Sequence, residues 1–182
     1  MKIAVYCSAK DAISEEYLRL GDELGAWIGE AGHTLVYGGA TGGLMSRVSA
    51  AAKSSGAYVI GVIPPKIIKM GRQANCCDEL MKVADMAERK RVIRELADCC
   101  VCLPGGYGTL DEMFDVIGSG TVGEHNKPLF IVNYGGIYDG IKAVADRMQQ
   151  LGFIPTPENY SPRFVRDMEE LEDEIIKIQT KR

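Results

Sequence analysis

The chain has 182 residues, a net charge of −4, 46% hydrophobic residues and 25% charged ones. At that length a single domain buries roughly 70% of its unfolded surface, enough for a core without metals or disulfides. The mix excludes a disordered, collagen-like or coiled-coil chain; no stretch approaches the ~20 apolar residues of a membrane helix, and the acidic balance argues against a nucleic-acid partner.

Residues 2–7 form a short apolar, β-branched run with no signal-peptide core, which predicts a strand and a cytoplasmic protein. Ser14 is placed to cap a helix through about residue 31, with Glu15 and Glu16 in its first turn and Gly32 as the stop. A second strand over 34–37 ends in Gly38-Gly39, and a small-residue helix follows over 43–54. The third strand, 57–63, closes at Pro64-Pro65, and a polar loop runs to about residue 79. A short strand at 80–84 leads to Asp85, which caps a helix through about residue 97. The strand 99–103 ends in Pro104-Gly105-Gly106, with a helix over 109–117. A strand at 128–133 ends in Gly135-Gly136, and helices over 137–151 and 167–178 complete the pattern.

Near-continuous apolar strands separated by helices predict an α/β fold with a doubly wound parallel sheet, in one domain over 1–182. Three strands finish in a glycine pair, and in a parallel sheet all such turns lie on one edge. That edge is where ligands bind, near the switch point in strand order, so the three turns predict close approach of backbone to a bound group.

The segment Leu103-Pro-Gly-Gly-Tyr-Gly-Thr-Leu-Asp-Glu112 is strand, glycine turn and helix start. Gly105, Gly106 and Gly108 free backbone N–H groups to face a ligand, and the helix adds its positive end, which makes a phosphate cradle. Thr109 and Glu112 also have capping-box spacing, so a plain capped turn is the competing reading. Glu112 in a first turn would be held ionised by the helix dipole, with Asp111 beside it. Such a carboxylate suits stabilising a developing cation or accepting a proton from water.

In Asp85-Met86-Ala-Glu-Arg89-Lys90-Arg91, Arg89 shares helical spacing with Val92, Ile93 and Leu96. It either faces inward or across an interface, or snorkels at the edge of the apolar stripe. Residues 66–94 hold eight basic residues against four acidic ones, net +4, leaving −8 elsewhere. That patch suits a small anion better than a polymer, unless it is a solvated helix face; Lys90, Arg91 and Arg94 are expected to face solvent or attract phosphate. Gly38 to Met45 make another glycine turn into a helix, with Gly39 and Gly43 as candidate binding positions. Ser8, just past the first strand, reaches the same edge, as a binding residue or a loop serine. Two histidines, His33 and His125, without an acidic constellation give no metal site, and no cofactor is expected. Cys99 and Cys102 point to opposite faces of a strand; all six cysteines are expected to be reduced, buried thiols.

Together these segments resemble the LOG family of cytokinin-activating phosphoribohydrolases, whose relatives are often described as possible lysine decarboxylases. Pro104, Gly105, Gly106, Gly108, Thr109 and Glu112 match the family's P-G-G-x-G-T-x-x-E motif. Asp85, Met86, Arg89 and Lys90 match D-M-x-x-R-K, and Gly38, Gly39, Gly43, Leu44 and Met45 match part of G-G-G-x-x-G-L-M-G. Order and spacing agree over 2–153. The resemblance implies a Rossmann-like fold, a homodimer, and cleavage of nucleoside 5'-monophosphates to free base and ribose 5-phosphate. It makes Arg89 and Glu112 the catalytic pair and Gly105, Gly106, Gly108 and Thr109 the phosphate loop. Ala40 and Ser46 stand where the family usually has glycine, and Asp111 replaces a common glutamate. Residues 117–128 lack the usual tryptophan and glutamine. A non-catalytic nucleotide or phosphate carrier on the same turns is the alternative reading.

Overall fold

The computed structural model describes residues 1–155 and 159–180. Seven strands form one sheet: β1 (Lys2–Tyr6), β2 (Thr34–Tyr37), β3 (Tyr58–Ile63), β4 (Glu79–Lys82), β5 (Cys99–Cys102), β6 (Leu129–Val132) and β7 (Arg163–Val165). Their spatial order is β4-β3-β2-β1-β5-β6-β7 and every pair is parallel. The helices are α1 (Glu15–Glu30), α2 (Gly43–Ser54), α3 (Pro65–Lys69), α4 (Met86–Leu96), α5 (Tyr107–Thr121), α6 (Asp139–Gln150) and α7 (Met168–Gln179). No helix among the described residues is long and apolar enough to cross a membrane.

The pleat divides the core into two layers. Ile3, Val5, Val101 and Leu103 face α1, α2 and α7, while Ala4, Tyr6, Cys100 and Cys102 face α4 and α5. Cys99 and Cys102 fall in opposite layers, as their spacing in a strand requires. α1 presents Gly21, Gly25 and Gly29 at four-residue spacing to α2. A Cβ at Gly25 would overlap the Val48 carbonyl, so the absent side chain sets how closely these helices approach.

Several sequence expectations need correction. The stretch 65–79 is not all loop: Pro65 at the first position starts the one-turn α3, which buries no residue and so leaves no apolar pattern. The three-residue edge strand β7 escaped the pattern for want of length. Ser14 precedes α1 but its side chain makes no cap bond. Asp85 caps α4 as expected, its carboxylate accepting from the Glu88 N–H at 2.9 Å.

The helix after β5 begins two residues earlier than its threonine suggests. Gly106 is the N-cap, and Thr109 lies inside α5. The capping-box reading therefore fails, and Glu112 sits in the second turn rather than the first, too deep for the dipole of the helix end to govern it.

Candidate active site

The switch point lies between β1 and β5, whose connections leave in opposite directions along the sheet. Two backbone bonds hold the edges together there: Leu103 N–H to Tyr6 O at 2.9 Å and Ser8 N–H to Pro104 O at 3.3 Å. Above them opens a cleft of about 370 Å³, lined by residues 7–10, Met45, Met86, Arg89, residues 106–109, Asp111 and Glu112.

Arg89 projects from the first turn of α4 and is 4% exposed. Its guanidinium donates in three directions: Nε to Val62 O (3.1 Å), Nη2 to Gly38 O (3.1 Å) and Nη1 to Glu112 Oε1 (3.0 Å). Of five N–H groups two remain for a ligand. The inward reading of Arg89 is the one realised. The close approach expected at Gly38 is also realised, but by Arg89: a Cβ there would overlap Nη2. Gly38→Ala is expected to expel the guanidinium and cost about 3–5 kcal/mol, the scale of breaking a buried ion pair. Urea unfolding measures it; a cost under about 1 kcal/mol contradicts the geometry.

Glu112 is likewise 4% exposed. Burial raises its pKa to about 7, against the opposing pull of Arg89 and with a smaller push from Asp111. This corrects the expectation of a carboxylate held firmly ionised; Glu112 instead exchanges its proton near neutrality. In the unfolded chain it titrates near 4.5. Between those values the folded state binds more protons, so the contribution is full below 4.5 and is lost as pH rises through about 7. The stability of wild type relative to Glu112→Gln is expected to fall across that window, as read by thermal unfolding at stepped pH. A gap that widens in favour of wild type contradicts it.

The first-turn N–H groups of α5, at Tyr107, Gly108 and Thr109, have no intrahelical acceptor, and Leu110 N–H is the first to reach back, to Gly106 O at 3.0 Å. Among the described residues no protein acceptor takes the amides of 106–109. Such amides, together with the positive end of the helix, favour an anion at this edge of the cleft. Gly105 stands behind it, where a Cβ would overlap the buried Thr109 side chain.

Ser8 lines the cleft; its Oγ accepts from Lys10 N–H at 3.2 Å, a loop-turn bond that leaves its hydroxyl proton for another acceptor. Met86 is 37% exposed and Tyr107 92% exposed, and both line the cleft. Gly39 and Gly43 lie outside that lining. Gly43 N–H is already given to Asp11 Oδ1 at 2.7 Å, and the Gly39 carbonyl accepts from Ala74. Gly135-Gly136 forms a 3-10 turn away from the cleft, so the third glycine pair is a chain turn.

The basic residues of the stretch that lie on α4 beyond Arg89 are paired within the protein. Lys90 pairs with Asp111 (3.0 Å) and Asp115, Arg94 with Asp115 and Glu124, and Arg91 with Glu88 and Glu95. Lys90 and Arg94 tie α4 to α5 and to the turn after it, through partners 21 to 30 residues away that no sequence spacing announces, whereas Arg91 pairs within α4. Lys10, Cys7 and Tyr107 are cleft residues that the sequence reading did not single out; only Tyr107, inside the glycine motif, carried a signal. No group of three or more His, Cys, Asp or Glu among the described residues is arranged to hold a metal ion.

A family profile described as "Possible lysine decarboxylase" matches residues 45–175. The chain is 38% identical to the cytokinin riboside 5'-monophosphate phosphoribohydrolase of Mycobacterium tuberculosis over 84% of its own length and 81% of the relative's. It is 34% identical over 99% of its length to cytokinin riboside 5'-monophosphate phosphoribohydrolase LOG7 of Arabidopsis thaliana, covering 86% of that protein. Among solved structures it resembles the molybdenum cofactor carrier protein of Chlamydomonas reinhardtii, with a TM-score of 0.75 at 20% identity and 98% coverage of both chains. That likeness concerns the fold alone.

Proposed function

Because the chain belongs to the family described as possible lysine decarboxylase, whose curated relatives are named phosphoribohydrolases, we propose that it cleaves nucleoside 5'-monophosphates. The substrates are AMP or cytokinin riboside 5'-monophosphates, and the products are the free base and ribose 5-phosphate. The observation that carries the reading is the buried Arg89–Glu112 pair set beside first-turn amides that no acceptor among the described residues uses.

The phosphate docks on the amides of 106–109, which anchors the ribose. The glycosidic bond opens through an oxocarbenium-like state, as in glycoside hydrolysis generally. The Glu112 carboxylate stabilises that cation and takes a proton from the attacking water. With its pKa near 7 it can pass that proton to the departing base and return to its starting state. Arg89 fixes the carboxylate and offers its two remaining N–H groups to the substrate. Ser8 and Met86 line the ribose and base side of the cleft, and Lys90 holds Asp111 at its rim.

The protein acts as a homodimer in this reading. α6 buries none of its residues and leaves Val144 57% exposed, beside Phe114 (49%) on α5 and Phe153 (78%). These line an apolar hollow of about 580 Å³ that a second copy would cover. Neither nucleic acid nor membrane is a partner, and the free cysteines Cys7, Cys76, Cys77, Cys99, Cys100 and Cys102 suit a reducing cytoplasm.

Incubation with AMP and with an isoprenylated AMP, followed by chromatography, is expected to release free base with an equal amount of ribose 5-phosphate. Binding of the nucleotide without release of base supports a carrier and overturns the assignment.

A further inference from the structure

Four of the six cysteines are buried, but Cys76 and Cys77 are only half-buried. They lie in the segment between α3 and β4, outside the cleft, and the sequence reading of uniformly buried thiols fails for them. Their sulfurs flank one hydroxyl: Tyr37 Oη is 3.8 Å from Cys76 Sγ and 3.4 Å from Cys77 Sγ. Tyr37 itself is fully buried at the end of β2, so its ring cannot swing away to water. The nearby Ser49 hydroxyl of α2 gives its proton to Met45 O at 2.8 Å, which leaves Tyr37 as the hydroxyl donor to the pair. Next in the chain, Asp78 is held by Lys53 and by the Val59 N–H at 2.9 Å, which fixes the backbone that carries both thiols.

We propose that Cys76–Cys77 is a peroxide-reactive modification site, with Cys76 as the attacking sulfur, Cys77 as the resolving thiol and Tyr37 as the hydroxyl that steadies the anion. The groups facing the pair act in that direction. Hydrogen bonds from Cys77 and Tyr37 lower the pKa of Cys76, while burial opposes them. The same bond to Cys76, with burial and the nearby Asp78, raises that of Cys77 against the opposing pull of the Tyr37 bond. The pair therefore loses its first proton readily and keeps its second, as an attacking and a resolving thiol must.

The Cys76 thiolate attacks one oxygen of a hydroperoxide. An S–O bond forms, the O–O bond breaks, and the departing oxygen leaves as hydroxide or alkoxide that takes a solvent proton. Cys77 then attacks the sulfenic sulfur, the S–O bond breaks, and water leaves with the Cys77 proton. Two thiols are oxidised to one disulfide and one peroxide is reduced. Adjacent Cα atoms stand closer than in an ordinary disulfide, so a dithiol reverses the bond readily.

The test is stoichiometric hydrogen peroxide at neutral pH, followed by tryptic mapping. The peptide spanning residues 73–82 is expected to lose two hydrogens, reversibly with dithiothreitol, before Cys7, Cys99, Cys100 or Cys102 changes. Cys77→Ser is expected to halt at a sulfenic acid on Cys76 that dimedone traps, and Cys76→Ser to leave Cys77 unlabelled. Tyr37→Phe, which keeps the ring, is expected to slow alkylation of Cys76 by iodoacetamide about tenfold, the scale of losing a hydrogen bond to a charged group. Equal labelling of the two single variants, or a Tyr37→Phe rate equal to wild type, overturns the proposal. Both would mark two ordinary accessible thiols.

Discussion

Glu112→Gln is expected to lower the rate of base release from AMP by about 100-fold or more, with little change in how tightly the nucleotide binds. The substitution keeps the shape of the side chain and an oxygen that can accept from Arg89 Nη1. It removes the negative charge that the oxocarbenium-like state needs, and the group that takes the proton from water. The phosphate seat on 106–109 is untouched, so the loss belongs in kcat rather than KM. Steady-state kinetics with AMP measure both. Turnover within a few-fold of wild type contradicts the role given to Glu112.

Arg89→Ala is expected to do more damage, because Arg89 is structural as well as chemical. Its removal strands a buried carboxylate at Glu112 and leaves the carbonyls of Val62 and Gly38 without their donor. Breaking a buried ion pair costs about 3–5 kcal/mol, a large part of a typical domain's stability. Activity should fall at least as far as in Glu112→Gln. The double variant Arg89→Met/Glu112→Gln separates the two effects. It no longer buries an unpaired charge, so its unfolding free energy in urea should recover toward wild type while base release stays lost. Recovery of activity, or a double variant less stable than Arg89→Ala, contradicts the account.

The sheet was legible where glycine and proline punctuate apolar runs. The β2 range (Thr34–Tyr37) and the α2 range (Gly43–Ser54) match the expectations from sequence residue for residue, because Gly32, Gly38 and Gly56 bracket them. The spacing of Arg89 with Ile93 allowed an inward-facing side chain beside a snorkelling one, but it did not give the carbonyl partners, which lie on β3 and just past the end of β2. Glu112 was found through its motif, yet its electrostatics were misjudged. Thr109 resembles a cap, whereas Gly106 is the real one, and that difference moves Glu112 one turn deeper, where burial dominates. Lys90 and Arg94 misled because charge in sequence says nothing of carboxylates on the next helix, such as Asp111 and Asp115. α3 and β7 bury too little to imprint a pattern.

The relation between the anion seat and the acid is open to one direct measurement, a crystal structure of Glu112→Gln soaked with AMP. The account predicts the 5'-phosphate within hydrogen-bond distance of the amides of 106–109, the anomeric carbon facing residue 112, and Arg89 still on Gly38 O and Val62 O. A phosphate seated elsewhere, or a sugar turned away from residue 112, contradicts it.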